Sequence, residues 1–157
     1  MWRYFDGRAL EMSLEQEVRA AVERIRAEGH ALRLCIGTDS QIVSGKVHFA
    51  TAIVFVVVRN GGFMFVQQRR NQPLMSLKER MMTEIAHSIE TAYALDALVK
   101  ELRLEMEIHA DINRDPKFPS HASYQEAMGY IKSMGYTFVS KPDAFASSVC
   151  ADRFCGG

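Results

Sequence analysis

The chain has 157 residues, 48% of them hydrophobic, and a formal net charge of zero from 19 basic and 19 acidic side chains. That length suits one domain that buries roughly two-thirds of its unfolded surface, and the composition excludes disordered and fibrous classes. The balanced charge excludes a global electrostatic attraction to nucleic acid or to an anionic membrane, so a polyanionic partner would need local charges or a metal ion.

The cysteines and the apolar segments set the expected compartment. Cys35, Cys150 and Cys155 are odd in number and lack CxxC spacing, which indicates neither a disulfide framework nor a zinc knuckle. Reduced thiols fit a cytoplasmic protein. The longest apolar run, 49–58, is about half of what a membrane span needs, and the N-terminus does not have the pattern of a signal peptide. No membrane span or secretion is predicted.

The first half of the chain predicts one helix followed by an antiparallel meander. Ser13 and Gln16 have the spacing of a capping box and Gly29 offers a stop, so a helix is expected over 14–28. Asn60-Gly61-Gly62 supplies a tight hairpin turn between two apolar segments. The predicted strands cover 31–39, 47–59 and 63–68.

The second half alternates helices with strands. Pro73 marks a break, and Ser76 can cap a long helix that suits a crossover connection. The strand that follows alternates apolar and polar side chains and should lie parallel to an earlier strand. The predicted elements are a helix at 77–102, a strand at 104–111, a turn around 113–119, a helix at 124–134, a strand at 136–140 and a final helix at 144–154. Together they make a single domain over 1–157.

Two of the predicted strands end in an aspartate, Asp39 and Asp111. Strand ends of an open α/β sheet face the crevice where ligands bind, so carboxylates from separate strands can converge there. The pair suggests a metal site, which two more acids can join. Those acids are Glu84 and Asp152, and the further candidates are Asp143, His109 and Ser40.

Helix geometry selects Glu84 among the acids of the long helix. At 100° per residue it lies roughly 70° from the centre of the apolar stripe, on the stripe's edge. Glu79, Glu90 and Glu101 point about 150° or more away, into solvent. Asp96 is also near the stripe edge, but about three turns further along, so it is the fallback candidate.

Converging carboxylates need neutralisation. Two like charges about 4 Å apart cost on the order of 4 kcal/mol at an effective dielectric of 20, against a total stability of about 5 to 15 kcal/mol. Protons or divalent cations must therefore offset the charge. Hard oxygen ligands without thiolate favour Mg²⁺ or Mn²⁺.

Taken singly, the candidate residues have simpler interpretations. Asp39 and Asp111 could form turns, Glu84 could be a surface acid, and a buried, satisfied imidazole is the commoner outcome for His109. A basic cluster could hold phosphates or form a solvated face. Its members are Arg69, Arg70, Lys78 and Arg80. Only the occurrence of these acids together, at the expected strand ends and helix edge, favours a functional site.

Several blocks of the sequence, in order, resemble the YkuK-type ribonuclease H-like family over nearly the full length. They are Ile36 to Gln41, His48 to Ile53, Glu84 with Ser88 and Glu90, Ile108 to Asp111, and Lys141 to Ser148. The resemblance implies an α/β ribonuclease H-like domain with a five-stranded mixed sheet of order 3-2-1-4-5, flanked by helices. In this chain an extra N-terminal helix precedes it.

The resemblance also implies a set of site residues and an activity. Two metal ions, Mg²⁺ or Mn²⁺, would be bound by Asp39, Glu84 and Asp111, with a fourth carboxylate from Asp152 or its rival Asp143. The implied activity is a nuclease that hydrolyses phosphodiester bonds of RNA, DNA or an RNA/DNA hybrid by a two-metal mechanism. The alternative is a catalytically silent ribonuclease H-like module for nucleic-acid binding or assembly. The zero net charge counts against nucleic acid as a partner.

Overall fold

A computed structural model describes residues 1–113, 115–117, 121 and 124–156. Its strands and helices, in chain order, are β1 (Trp2–Tyr4), α1 (Leu14–Ala27), β2 (Leu32–Val43), β3 (Lys46–Val57), β4 (Gly62–Gln72), α2 (Leu77–Glu101), β5 (Glu105–Asn113), α3 (Tyr124–Ser133) and β6 (Thr137–Lys141). A C-terminal segment follows, which begins as a π-helix (Ala146–Ala151) and ends as α4 (Asp152–Cys155).

The strands form one mixed sheet in the order β1-β4-β3-β2-β5-β6. Strands β2, β3 and β4 are an antiparallel meander, while β5 pairs in parallel with β2, and β6 with β5. The predicted order of five strands is therefore present as β4-β3-β2-β5-β6. The prediction of five strands is wrong, because the described residues contain a sixth at the edge of the sheet.

The sixth strand, β1, is too short for a sequence pattern to reveal it. Its three residues pair antiparallel with β4, where Tyr4 lies opposite Phe65. The Tyr4 hydroxyl donates a hydrogen bond of 2.8 Å to the buried Glu17 of α1. Tertiary contacts, rather than local propensity, thus order this segment.

The two faces of the sheet carry different layers. Leu34 and Ile36 of β2 point into the main core, which α1 and α2 cover. Cys35 points to the other face, where Ala146 and Ala151 of the C-terminal segment pack. Because strand side chains alternate between faces, Asp39 lies on the side of the C-terminal segment and Ser40 on the side of α2.

Several predicted boundaries differ from those observed. Strand β2 continues to Val43 and β5 to Asn113, so neither Asp39 nor Asp111 is the last residue of its strand. The β2–β5 pairing, however, stops at Gly37 and His109, two residues before each aspartate. The predicted turn at 113–119 lies partly outside the described residues. Among the helices of the described residues, none combines the length and apolar character that crossing a membrane requires.

Gly37 allows the C-terminal segment to approach the sheet. A Cβ atom at this position would lie 2.3 Å from the backbone nitrogen of Ser147 and 2.4 Å from the carbonyl carbon of Ala146. Both are backbone atoms, so the contact could be relieved only by moving the segment. Only glycine fits at this crossing of two backbones.

We expect Gly37→Ala to destabilise the protein by about 1 to 3 kcal/mol, because the methyl group overpacks this crossing. Gly129→Ala is the matched control, since nothing lies within 4 Å of an added Cβ at that position in α3. Replacing a helical glycine by alanine should raise stability by roughly 0.5 to 1 kcal/mol. Urea denaturation measures both variants. Equal stabilities for Gly37→Ala and the wild type would contradict the close approach.

Candidate metal centre

Asp39 lies at the point where β2 loses its parallel partner. Its side chain is only 9% exposed, and it faces the C-terminal segment. The Ser40 amide donates a hydrogen bond of 2.9 Å to its Oδ1 atom. Since β5 no longer pairs with β2 here, the carboxylate borders the opening between the two strands. Such an opening is where ligands bind in α/β sheets.

Asp152 of α4 meets Asp39 from the C-terminal segment. Asp39, Asp152 and Cys155 each offer one ligand atom within 4.8 Å of the others. The Gln41 amide donates a hydrogen bond of 3.1 Å to Asp152 Oδ1, so the side chain is oriented by β2 as well. The fold thus brings together residues 113 positions apart, which no local pattern could reveal.

Glu84 reaches the site from the other layer. It is 8% exposed on α2, and the Ser40 hydroxyl donates a hydrogen bond of 2.7 Å to its Oε1 atom. Arg80, one turn earlier on the helix, donates to the Ser40 hydroxyl at 3.1 Å and to the Ser40 carbonyl at 3.0 Å. Arg80 and Ser40 therefore fix Glu84 against β2. The helix geometry predicted this inward direction for Glu84.

Asp111 is held by a cation that sequence reasoning did not identify. Its Oδ1 atom lies 2.9 Å from Lys141 Nζ. Between the paired positions His109–Val139 and Asn113–Lys141, β5 uses two more residues than β6, and this irregularity includes Asp111. Bulges commonly redirect a side chain next to a functional site. The Lys141-Pro142-Asp143 block was the only sequence signal that could have drawn attention to Lys141.

The acids at the centre of the site are poised to take up protons. Burial is the main cause that raises the pKa of Asp39 to about 7; the hydrogen bond with Asp152 contributes to this rise, and the Ser40 amide and the charge of Lys141 oppose it. Burial, followed by the charge of Asp39, raises the pKa of Glu84 to about 8. Both shifts reflect the cost of placing unneutralised carboxylates in a poorly solvated site.

The other sequence candidates lie elsewhere. Asp143 is exposed in the turn after β6, so the geometry favours Asp152 over Asp143 as the fourth acid. His109 is buried: its Nε2 atom is 3.0 Å from Glu107, and its Nδ1 atom accepts a hydrogen bond from the Ala146 amide. It thereby supports the C-terminal segment through the Ala146 amide. Asp96 forms an ion pair with Lys100, far along α2.

The predicted basic cluster is divided between different surroundings. Arg69 pairs with Glu90, and Lys78 pairs with the distant Glu126 of α3. Arg70 Nη1 donates to the Gly156 carbonyl at 3.2 Å and lies beside His48. Only Arg80 directly contacts a residue that holds one of the acids.

The sheet order and the acids at the β2–β5 opening are the features of a ribonuclease H-like protein. A model of the family described as ribonuclease H-like matches residues 16–155, and the chain belongs to that family. It is 31% identical to the uncharacterized protein YkuK of Bacillus subtilis (strain 168), with 77% of each chain covered. No solved structure gives a significant match. Membership points to a nuclease or a nucleic-acid-binding module.

We expect the stability of the metal-free protein to fall as the pH rises from about 4 to about 8. The folded-state pKa values of Asp39 and Glu84 are raised from 3.8 and 4.5 to about 7 and about 8. The folded state therefore binds more protons than the unfolded state in that range. The free energy of unfolding should be lower at pH about 8 than at pH about 4, by on the order of a few kcal/mol. Urea denaturation in EDTA measures this slope.

The variant Asp39→Asn should flatten that pH dependence, because it removes one titrating carboxyl and lowers the charge that acts on Glu84. A free energy of unfolding that stays constant or rises over the same range in the wild-type protein would contradict the electrostatics of the cluster.

Proposed function

We propose that this protein is a nuclease that hydrolyses phosphodiester bonds of RNA, DNA or a hybrid with the help of divalent cations. The observation that carries the proposal is the buried Asp39 carboxyl, which has a second carboxyl, that of Asp152, within 4.8 Å. Two acids so close raise each other's cost of ionisation, and a divalent cation relieves that cost.

The donor atoms fit Mg²⁺ or Mn²⁺ better than zinc. Asp39, Asp152, Glu84 and Asp111 provide carboxylate oxygens, which hard cations prefer. The one sulfur among the grouped ligand atoms is the Cys155 thiol, whose pKa burial raises to about 12 in the metal-free protein. Asp111 Oδ1 is buried and, among the described residues, has no hydrogen-bond donor in normal geometry. An oxygen in that state suits a cation.

Each side chain has a distinct part in the proposed reaction. Asp39 and Asp152 would hold the cation, which when bound lowers the pKa of a water molecule and polarises the phosphate. Ser40 and Arg80 keep Glu84 directed at the same opening. The low solvent exposure of Asp39 and Glu84 strengthens every charge interaction made there.

Nucleic acid is the substrate class that family membership and local charge support. The chain has no net charge, so attraction to phosphates must come from individual cations. Arg80 lies directly beside Ser40, and Arg70 lies at the end of the C-terminal segment. Arg80 is near enough to the acids for its charge to lower the pKa of Glu84, so it can contact a phosphate there.

The test is cleavage of labelled single-stranded, double-stranded and hybrid substrates in Mg²⁺ or Mn²⁺. We expect cleavage that EDTA abolishes and that Asp39→Asn lowers about 100-fold or more, because the amide loses the charge that binds the cation. Asp96→Asn is the matched control. It removes an aspartate that pairs with Lys100 on α2, and it should leave cleavage unchanged.

Cleavage that EDTA does not reduce would overturn the proposal. An Asp39→Asn variant as active as the wild type would overturn it as well. Binding of nucleic acid without any cleavage would instead indicate the catalytically silent module.

A further inference from the structure

The Lys141 ammonium group is the one cation in direct contact with a site carboxylate among the described residues. Its Nζ atom is 2.9 Å from Asp111 Oδ1. Its charge also lowers the pKa values of both Asp39 and Glu84, so its field extends over the acids from β2 and α2. It therefore acts on the cluster as a whole.

The contact resembles the occupation of a cation position more than a directed hydrogen bond. Asp111 Oδ1 is buried, and the ammonium approaches it outside normal hydrogen-bond geometry. The strand irregularity around Asp111 and the position of Lys141 at the end of β6 bring these groups together. The Lys141 side chain is 41% exposed and Asp111 22%, so the pair lies at the mouth of the site.

A divalent ion bound to Asp111 Oδ1 would compete with this ammonium group for the same oxygen. Oxygen ligands bind Mg²⁺ at about 2.0 to 2.1 Å, so the ion would lie on the oxygen that Lys141 already contacts. Two cations that close repel strongly in a poorly solvated site. We therefore expect the ammonium group to disfavour a divalent ion at this position.

The charges of the site also favour a single divalent ion. The four carboxylates, when ionised, carry four negative charges, and Lys141 and Arg80 contribute two positive charges. The charges of both cations lower the pKa of Glu84. One divalent cation neutralises the remainder. A second would leave an excess of positive charge before any substrate is present.

We propose that the Lys141 ammonium group permanently fills the second cation position, next to Asp111, so that the protein binds one divalent ion, at Asp39 and Asp152. This inference rests on the proposed function and replaces the sequence expectation of two ions. A lysine is a compact point charge suited to phosphate. Lys141 would thus supply, to a phosphate oxygen, the positive charge that a second ion supplies in two-metal sites.

The test counts Mn²⁺ ions bound to the full chain without substrate, by calorimetry and by the electron paramagnetic resonance signal of free Mn²⁺. We expect one ion in the wild type and in Lys141→Arg, which keeps the charge. Lys141→Met and Lys141→Gln should bind two, with the spin-coupled spectrum of a neighbouring Mn²⁺ pair. Lys100→Met is the matched control, because Lys100 also lies 2.9 Å from an aspartate, Asp96, and should still bind one.

Two ions in the wild type would overturn this inference and leave the proposed function standing. If both neutral variants are folded, as circular dichroism would show, and still bind one ion, the inference is overturned as well, since Lys141 would then not exclude a second ion. Binding of no Mn²⁺ by the wild type would overturn the metal-dependent function and this inference together. The wild-type count needs no variant, so a count of two or of none overturns the inference even if a substituted protein folds poorly.

Discussion

The burial of carboxylates at the opening between β2 and β5 is the constraint on which the rest of the site depends. Asp39 and Glu84 are both less than a tenth exposed, and each raises the cost of ionising the other. Like charges in a poorly solvated place need protons, fixed cations or bound metal ions. Lys141 and Arg80 meet part of that need within the protein itself. The remaining negative charge is what makes the opening attractive to a divalent cation.

Strand alternation explains how two separate layers supply one site. Asp39 and Ser40 are neighbours in β2 and point to opposite faces. Asp39 meets Asp152 of the C-terminal segment, whereas Ser40 donates its hydroxyl to Glu84 of α2. Gly37 permits the close backbone crossing that sets the height of the C-terminal segment above the sheet. At the start of that segment, His109 accepts the Ala146 amide, so the buried imidazole positions the element that delivers Asp152.

Local patterns predicted most of the fold because they reflect local physics. The Ser13 capping box forms as expected, with its side chain accepting the Gln16 amide. Apolar periodicity located both α1 and α2, and the glycines after Asn60 located the hairpin. The edge strand β1 was missed because its three residues are ordered by tertiary contacts, such as that between Tyr4 and Glu17. The strand ends were also wrong, since β2 keeps pairing with β3 after β5 has separated.

The sequence by itself determined the element types, the inward direction of Glu84, and the family to which the chain is related. Helix capping, periodicity and short motifs are properties of neighbouring residues, so they can be read along the chain. Only the tertiary structure placed Asp152 beside Asp39, bonded His109 to Glu107 and to the Ala146 amide, and placed Lys141 against Asp111. Those outcomes depend on the crossing of distant segments and on the charge balance of the assembled site, which no stretch of sequence contains.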